Sequence, residues 1–322
     1  MKNTIIIVNE TPYCIWEVDL KNRNLEYINS INPAYFEYLL KTHFEKADEK
    51  DKMLASIALR NGYFHGLETL LSLIGAFLQA PKCVYAWISK CSTGELRKLV
   101  KRINCSDPTI VTNLNIKKIS WESIGDIVFR YYLPNTDKQE KTKKLFAGFW
   151  QRLAYEFLDL NNINEYNSIK HGLRIKPGGF GLQAGIEHKP GVPVPLNEMK
   201  TVGYSEYGSS FFALEKVGSS EKNNQSLRSR KISVNWRIEK IALSLQLIAI
   251  SIDNISSILK IINGVEASKV RFHRPVNDSD FEKPWSYSPG VTNMSMDFVI
   301  EDAWCKPTTK KELLNILNKQ KR

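Results

Sequence analysis

The chain has 322 residues, of which 43% are hydrophobic and 25% charged, with a net charge of +11 and a pI near 9.2. This length and composition allow a sizeable core, and they exclude a low-complexity chain or a small domain that needs disulfide or metal staples. Because 45 Lys and Arg residues stand against 34 Asp and Glu residues, the charge favours nucleic acid over acidic proteins as a partner.

The cysteines and the apolar runs indicate an intracellular protein. The cysteines are odd in number and form neither a C-x-x-C pair nor a set with histidine at metal-ligand spacing, so we expect reduced thiols, mostly in the core. They are Cys14, Cys83, Cys91, Cys105 and Cys305. The start, MKNTIIIVNETPY, is too short in apolar residues for a secretory signal. No run reaches the roughly 20 apolar residues of a membrane helix, and we expect a cytoplasmic protein without membrane contact.

In chain order, residues 1–32 predict a short β lead-in, because TIIIVNETPYCIWEVDL is rich in β-branched and aromatic residues. From residue 33 to residue 171 the apolar positions recur at spacings of three and four, which predicts a helical bundle. Pro33 suits a helix start, and the run YFHGLETLLSLIGAFLQAP ends at Pro81 as a buried helix does. Ser92 followed by Glu95 predicts a capping box.

Residues 172–322 have a different texture. Gly- and Pro-rich stretches alternate with short β-like runs, which predicts a small antiparallel unit. A long helix over 232–262 and a basic amphipathic helix at the C-terminus follow. The predicted fold class is therefore α+β, with a mainly helical N-terminal bundle, a smaller Gly/Pro-rich antiparallel β unit and a long C-terminal helix. That helix could mediate dimerisation, so we expect a homodimer or a complex with a partner protein.

Two Asn-x-x-x-His steps are the most informative motifs. Asn61 and His65 form the first, and Asn167 and His171 form the second. Residues four apart on a helix share a face, so each step places an amide beside an imidazole. Arg174 lies either one turn beyond His171 or in the strand that follows Gly172.

The first step, in Arg60-Asn61-Gly62-Tyr63-Phe64-His65, resembles the signature of the HEPN superfamily. These are all-helical domains, and many of them are ribonucleases of toxin, anti-phage and CRISPR systems. In active members an Arg, a polar residue and a His lie on one helix, and two such helices meet across a dimer. The resemblance implies that Arg60 and His65 carry the chemistry. The second step departs from the signature, because Tyr166 stands where the Arg would be.

Such a site could cleave RNA without a metal or cofactor. A neutral His takes the proton of a ribose 2′-OH, which attacks the adjacent phosphate, and Arg stabilises the phosphorane charge. His65 and His171 could serve as base and acid within one chain, with Asn167 orienting the imidazole or the phosphate. The resulting prediction is a metal-independent, HEPN-like ribonuclease of a bacterial defence or toxin system. The catalytic candidates are Arg60, His65, Asn167 and His171.

Basic residues near these steps are candidates for nucleic-acid binding. Lys98, Lys101 and Arg102 fall on one face of a predicted helix, and Arg174 follows the second step. Charged runs of this sort also occur on ordinary solvated faces. No second His lies near His65 and Glu68, so no metal site is predicted.

A structural interpretation accounts for the same residues. A His beside Phe64 and Leu67 suits a core position, and an Asn four residues before a His that precedes Gly suits a helix end. In that case the chain is a non-enzymatic helical interaction protein or a subunit of a defence or regulatory assembly.

Overall fold

The structure is a computed structural model that describes residues 2–44, 49–114, 116, 118–133, 136–216, 225–296 and 308–320. In chain order its strands and helices are β1 (Lys2–Val8), β2 (Thr11–Glu17), α1 (Leu20–Ser30), α2 (Ala34–His43), α3 (Glu49–Gln79), α4 (Val84–Lys90), α5 (Thr93–Asn104), α6 (Trp121–Val128), α7 (Thr136–Leu158), α8 (Leu160–Lys170), β3 (Lys176–Pro177), β4 (Gly181–Ala184), β5 (Lys200–Tyr204), β6 (Gly208–Lys216), β7 (Leu227–Asn235), α9 (Ile238–Ile262), α10 (Lys283–Ser286), β8 (Asn293–Met296) and α11 (Lys310–Gln320). The predicted α+β class, with a helical bundle, small antiparallel sheets and a long helix late in the chain, is confirmed.

The chain divides into two compact units. The first contains Met1–Ile163 and Ile238–Tyr287, and the second contains Asn164–Arg237 and Ser288–Arg322. The division falls within α8, and α9 belongs to the first unit although it follows most of the second in sequence. The first unit is thus built from two separate stretches of chain.

The core of the first unit centres on α3 and α9, which pack against each other and against α2. Gly62 and Gly66 lie on the packed face of α3. A Cβ at Gly66 would come within 3.1 Å of side-chain atoms of both Leu245 and Ile248 on α9, and one at Gly62 would lie 2.8 Å from Leu39 Cδ1. The two glycines therefore permit close helix approach, which offsets their poor helix propensity.

Helix α9 is long and apolar enough to span a membrane by length and composition. Most of it is nevertheless buried inside the protein, as the core helix of a folded domain would be. It begins at Ile238, six residues later than expected, because residues up to Asn235 continue as β7. Within the described residues, a bent pair formed by α3 and α4 also meets the composition test when the two helices are taken together.

The N-terminal lead-in confirms the predicted strands and adds a helix. β1 and β2 pair as an antiparallel hairpin, with Val8 opposite Thr11 and Asn9 in a left-handed turn conformation at φ 57°. Helix α1 follows, with the Asp19 carboxylate accepting a hydrogen bond from the Asn22 amide. The predicted capping box at the start of α5 is also confirmed, since Ser92 and Glu95 bond reciprocally.

The thiols depart from the sequence prediction. Of the four cysteines that the structure describes, only Cys83 is buried, whereas Cys14 and Cys105 are exposed and Cys91 is half-buried. All four are free thiols, and Cys305 lies outside the described residues. The expectation of a mostly buried set was wrong because Cys14 lies on the outer face of the hairpin and Cys105 follows the last turn of α5, where no packing partner is needed.

The second unit contains a four-stranded antiparallel sheet in the order β3-β6-β7-β8 and a separate pair formed by β4 and β5. Close backbone approach explains its glycines. A Cβ at Gly179 would lie 2.8 Å from the Asn235 Oδ1 atom, and one at Gly208 would lie 2.7 Å from the Gly179 Cα atom. A side chain at either position would separate neighbouring strands.

Candidate functional site

The side chain of Arg60 is buried in the first unit and has a structural role there. Only 6% of the residue is exposed. Its Nη2 donates a 2.9 Å hydrogen bond to Asn162 Oδ1, and its guanidinium lies 4.3 Å from the ring centroid of Phe64. Asn162 in turn donates to the backbone oxygen of Glu156. This arrangement links α3 to the start of α8, and it occupies the group that the HEPN resemblance implies would stabilise a phosphorane.

A half-buried carboxylate, that of Glu156, lies close enough to Arg60 to feel its charge. The Tyr63 hydroxyl donates a hydrogen bond to Glu156, the Lys240 ammonium lies 2.6 Å from Glu156 Oε1, and the Trp285 indole N–H donates to the same oxygen at 3.2 Å. Burial opposes ionisation of Glu156, but the Lys240 ammonium, the Tyr63 hydroxyl and the Arg60 charge hold its pKa below the usual value. Burial and the Glu156 charge raise the pKa of Tyr63 well above its usual value. The polar groups of Arg60, Tyr63, Glu156, Lys240 and Trp285 thus have hydrogen-bond or ion-pair partners within the first unit.

His65 does not share a site with Arg60. Residues five apart on a helix project about 140° away from each other, and His65 is exposed while Arg60 is buried. The imidazole lies edge-on to Tyr35 and Phe36, with ring centroids 6.0 and 5.8 Å away. It lines a cavity of about 270 Å³ together with Glu68, whose carboxylate accepts a hydrogen bond from Thr93.

The second Asn-His step lies at the end of α8. Asn167 is half-buried and His171 is exposed. The backbone N–H of His171 donates to the Asn167 oxygen at 3.1 Å, which closes the last helical turn. Gly172 then takes a left-handed conformation at φ 103°.

Arg174 lies in the turn between the end of α8 and the start of β3, so it occupies neither of the two positions left open by the sequence. Its backbone N–H donates to Ser168 O at 2.7 Å, and Leu173 N–H donates to Ile169 O at 3.1 Å. Backbone hydrogen bonds that reach six and four residues back are typical of a helix C-cap that turns the chain sharply. The Arg174 side chain is exposed.

Buried groups on α8 hold this end of the helix in the second unit. Glu165 is fully buried, and its Oε1 accepts hydrogen bonds from Ser209 Oγ at 2.7 Å and from the Trp236 indole N–H at 3.1 Å. Tyr166 is 7% exposed, and the Lys170 ammonium lies 5.3 Å from its ring centroid. Tyr166, the residue before the second Asn-His step, therefore serves packing.

Four basic residues lie close together in the chain at the end of α8, and this segment is called the α8 corner: Lys170, His171, Arg174 and Lys176. All four residues are exposed. Among the described residues, neither the His171 ring nor the Arg174 guanidinium has a hydrogen-bond or ion-pair partner. The α8 corner thus exposes an imidazole and three cationic side chains to solvent. Sequence reasoning missed Lys170 and Lys176, although the density of basic residues in KHGLRIK was a visible signal.

The predicted nucleic-acid residues of α5 are placed differently from one another. Lys98 and Lys101 are exposed. Arg102 binds Asp107 at 2.7 Å and Glu10 at 3.0 Å. It also donates to Thr109 and to Asn9 in the hairpin turn. Its guanidinium therefore ties α5 to the N-terminal hairpin.

Two other kinds of site lack support. The amides of Gly178 and Gly179 donate to the backbone oxygens of Gly208 and Glu206, each at 2.9 Å, so they are not free to hold a phosphate. No group of three or more His, Cys, Asp or Glu side chains among the described residues could hold a metal ion. No protein-family model, curated protein or solved structure matches this chain.

Proposed function

We propose that the chain is a metal-independent, HEPN-like ribonuclease whose reacting group is His171 in the α8 corner. The observation that supports this proposal is the exposure of both His171 and Arg174, three residues apart in the chain, with neither side chain bound to another described residue. A general base must have a free ring nitrogen, and a phosphate-binding Arg must have a free guanidinium. The Arg60 guanidinium already binds Asn162, so the Asn167-His171 step is the better candidate for the catalytic site.

The reaction follows from the functional groups of the corner. The neutral His171 imidazole accepts the proton of a ribose 2′-OH, the 2′-oxygen attacks the adjacent phosphorus, and the P–O5′ bond breaks. Arg174 and Lys170 stabilise the charge that develops on the phosphoryl oxygens. A 2′,3′-cyclic phosphate forms, and the leaving 5′-oxygen takes a proton from an imidazolium. A homodimer would bring a second imidazole to supply that proton, as the HEPN resemblance implies.

Cleavage of a labelled RNA in the presence of a chelator tests this proposal. We expect the His171→Ala variant to lose cleavage by at least a hundredfold at unchanged thermal stability, which is the usual contribution of a general base. We expect Arg174→Ala to lose cleavage as well, while Arg174→Lys recovers a part of it. The matched control is His188→Ala, because His188 is an exposed histidine of the same unit that pairs with Glu198. Equal cleavage by the wild type, His171→Ala and His188→Ala would reject the proposal.

The cellular role proposed with this activity is a cytoplasmic toxin or antiviral nuclease of a bacterium. Expression of an active ribonuclease slows growth, so we expect growth arrest on induction of the wild type and normal growth on induction of His171→Ala at the same protein level. Arrest by both chains would exclude His171 as its cause.

A second candidate is a non-enzymatic interaction protein or assembly subunit. The observation that favours it is the structural use of the first motif, in which Arg60 binds Asn162 and Tyr63 binds Glu156. If the purified wild type cleaves no RNA but elutes as a homodimer or binds a partner protein, this second function is supported.

A further inference from the structure

The outer face of the β6–β7 pair combines exposed apolar side chains with lysines. On this face Phe212 is 71% exposed, Leu214 is 67% exposed and Leu227 is 53% exposed. The intervening residues Phe211 and Ala213 point to the opposite face and are buried. A strand that carries apolar residues on both faces differs from the usual alternation of a half-buried sheet, so the exposed set requires an explanation.

The charged residues that the described strands β3, β6 and β7 place on this face are all lysines. Lys231 is the direct cross-strand neighbour of Phe212, Lys216 is that of Leu227, and Lys176 on β3 pairs with Ser210. All three lysines are exposed, and side chains of directly opposite residues lie on the same face.

The single acidic residue in β3, β6 and β7 is Glu215. It is directly opposite Arg228, so it belongs to the other face of the sheet. There it binds Arg228 at 3.2 Å and Arg230 at 2.9 Å. The Glu215 carboxylate is thus paired on the opposite face, and the described residues of β3, β6 and β7 place lysines and no carboxylate on the outer face.

An aromatic ring surrounded by lysines on an open sheet is suited to an unpaired nucleic acid strand. Bases stack on an exposed aromatic ring, and lysines bind the phosphates on either side. Double-stranded RNA would keep its bases stacked on each other and unavailable to Phe212.

Resting on the ribonuclease function proposed above, we propose that this face, the β6–β7 platform, binds single-stranded RNA and that Phe212 stacks on a base. Lys231 and Lys216 bind the flanking phosphates. Lys176, on the edge strand β3 of this sheet, lies five positions after His171 in the chain, so their Cα atoms lie within roughly 18 Å. One RNA strand can therefore contact both the α8 corner and the platform.

Fluorescence anisotropy with a labelled, fully 2′-O-methylated 12-nucleotide RNA tests the platform without cleavage. We expect Phe212→Ala to weaken binding about tenfold, which is within the usual contribution of one stacked base. The control is Tyr204→Ala, an exposed aromatic of β5 in the other sheet, which we expect to bind within twofold of the wild type. We expect Lys231→Ala to reduce the salt slope of binding by about 0.7, and Lys200→Ala on β5 to leave it unchanged.

Two results would overturn the platform. One is equal RNA affinity of the Phe212→Ala and Tyr204→Ala variants. The other is binding to vesicles of anionic lipid that depends on Phe212 while RNA binding does not, which would identify the face as a membrane contact. Because the methylated RNA cannot be cleaved, loss of its binding in Phe212→Ala supports the platform even if no chain cleaves RNA. Conversely, if RNA binding does not depend on Phe212 but cleavage depends on His171, the platform is rejected and the ribonuclease proposal stands.

Discussion

The indole ring of Trp87 lies against Gly75, at a point where an added Cβ would approach Cζ2 to 2.9 Å. The ring is fully buried, and its N–H donates to Ile7 O at 3.0 Å and to Gln79 Oε1 at 3.2 Å. It cannot retreat without loss of these bonds. We therefore expect Gly75→Ala to lower the free energy of unfolding by about 1–3 kcal/mol, despite the better helix propensity of Ala. Chemical denaturation of the purified variant measures this change.

The matched control for Gly75 is Gly148 on α7. It is exposed, and no atom lies within 4 Å of the position that its Cβ would take. The same substitution there should raise the free energy of unfolding by about 0.5–1 kcal/mol. If both variants changed stability in the same direction, close packing of Trp87 on α3 would not explain the glycine.

The Lys240 ammonium should stabilise the first unit in a pH-dependent way. The folded pKa of Glu156 lies below its ordinary value of 4.5, so ionised Glu156 contributes stability that is present above that value and is lost as the pH falls through the lowered pKa. We expect Lys240→Met to lower the free energy of unfolding at pH 7 by about 1–3 kcal/mol, since it leaves a largely buried carboxylate without its cation.

Denaturation of the two chains at pH 7 and pH 4 checks this expectation. The difference between wild type and Lys240→Met should narrow at the lower pH, where the carboxylate of the variant takes up a proton. Lys283→Met is the control, because Lys283 binds Asp280 with half of its side chain exposed and should contribute little. A gap that stays constant between the two pH values would contradict the assigned role of Glu156.

The contacts of Asp107 with Arg102 and Thr109, just after α5, should weaken in acid. Hydrogen bonds from Thr109 and Arg102 lower the pKa of Asp107 from 3.8 to about 2. Asp107 thus adds stability above about pH 4, and this contribution is lost as the pH falls from 4 towards 2. We expect Asp107→Asn to have a lower melting temperature than the wild type at pH 5 and a smaller deficit at pH 3. An equal deficit at both values would show that the carboxylate charge is not what matters.

Arg60 should be needed for stability and dispensable for cleavage. Its guanidinium binds Asn162 and stacks on Phe64 inside the first unit. We expect Arg60→Ala to lower the free energy of unfolding by about 2 kcal/mol or more, as loss of a buried charged hydrogen bond does. At a temperature where the variant stays folded, cleavage should remain close to that of the wild type. Complete loss of cleavage by folded Arg60→Ala would instead indicate that the reacting residues lie on α3.

Local patterns in the sequence predicted much of the fold. The capping box at Ser92 was visible because both partners lie within one helical turn, and the β-branched lead-in identified the strands that form the hairpin. The start of α9 was misplaced because the end of β7, which carries Ile232 and Val234, is buried and is separated from the apolar α9 by only two residues. Periodicity alone does not separate a buried strand from a buried helix at such a junction.

The candidate site was harder to predict because the role of each polar side chain depends on partners that are distant in the sequence. Asn162 lies 102 residues from Arg60, and Lys240 lies 84 residues from Glu156. No local pattern shows that these pairs meet, so the sequence could not reveal that Arg60 is occupied. The exposure of Phe212 could not be predicted for the same reason. The run FFALEK places apolar residues on both faces of a strand, and which face is buried depends on elements that are distant in the sequence.

The interrupted order of the first unit has a consequence for biosynthesis. Helices α1 to α7 leave the ribosome long before α9, the helix on which α3 packs through Gly62 and Gly66. Until residue 262 has been translated, the apolar face of α3 lacks its main partner, and a nascent chain in this state is prone to aggregate or to bind a chaperone. Fragments that stop before α9 should accordingly be degraded or precipitate, whereas the second unit's strands β3 to β7 are all synthesised before α9 begins.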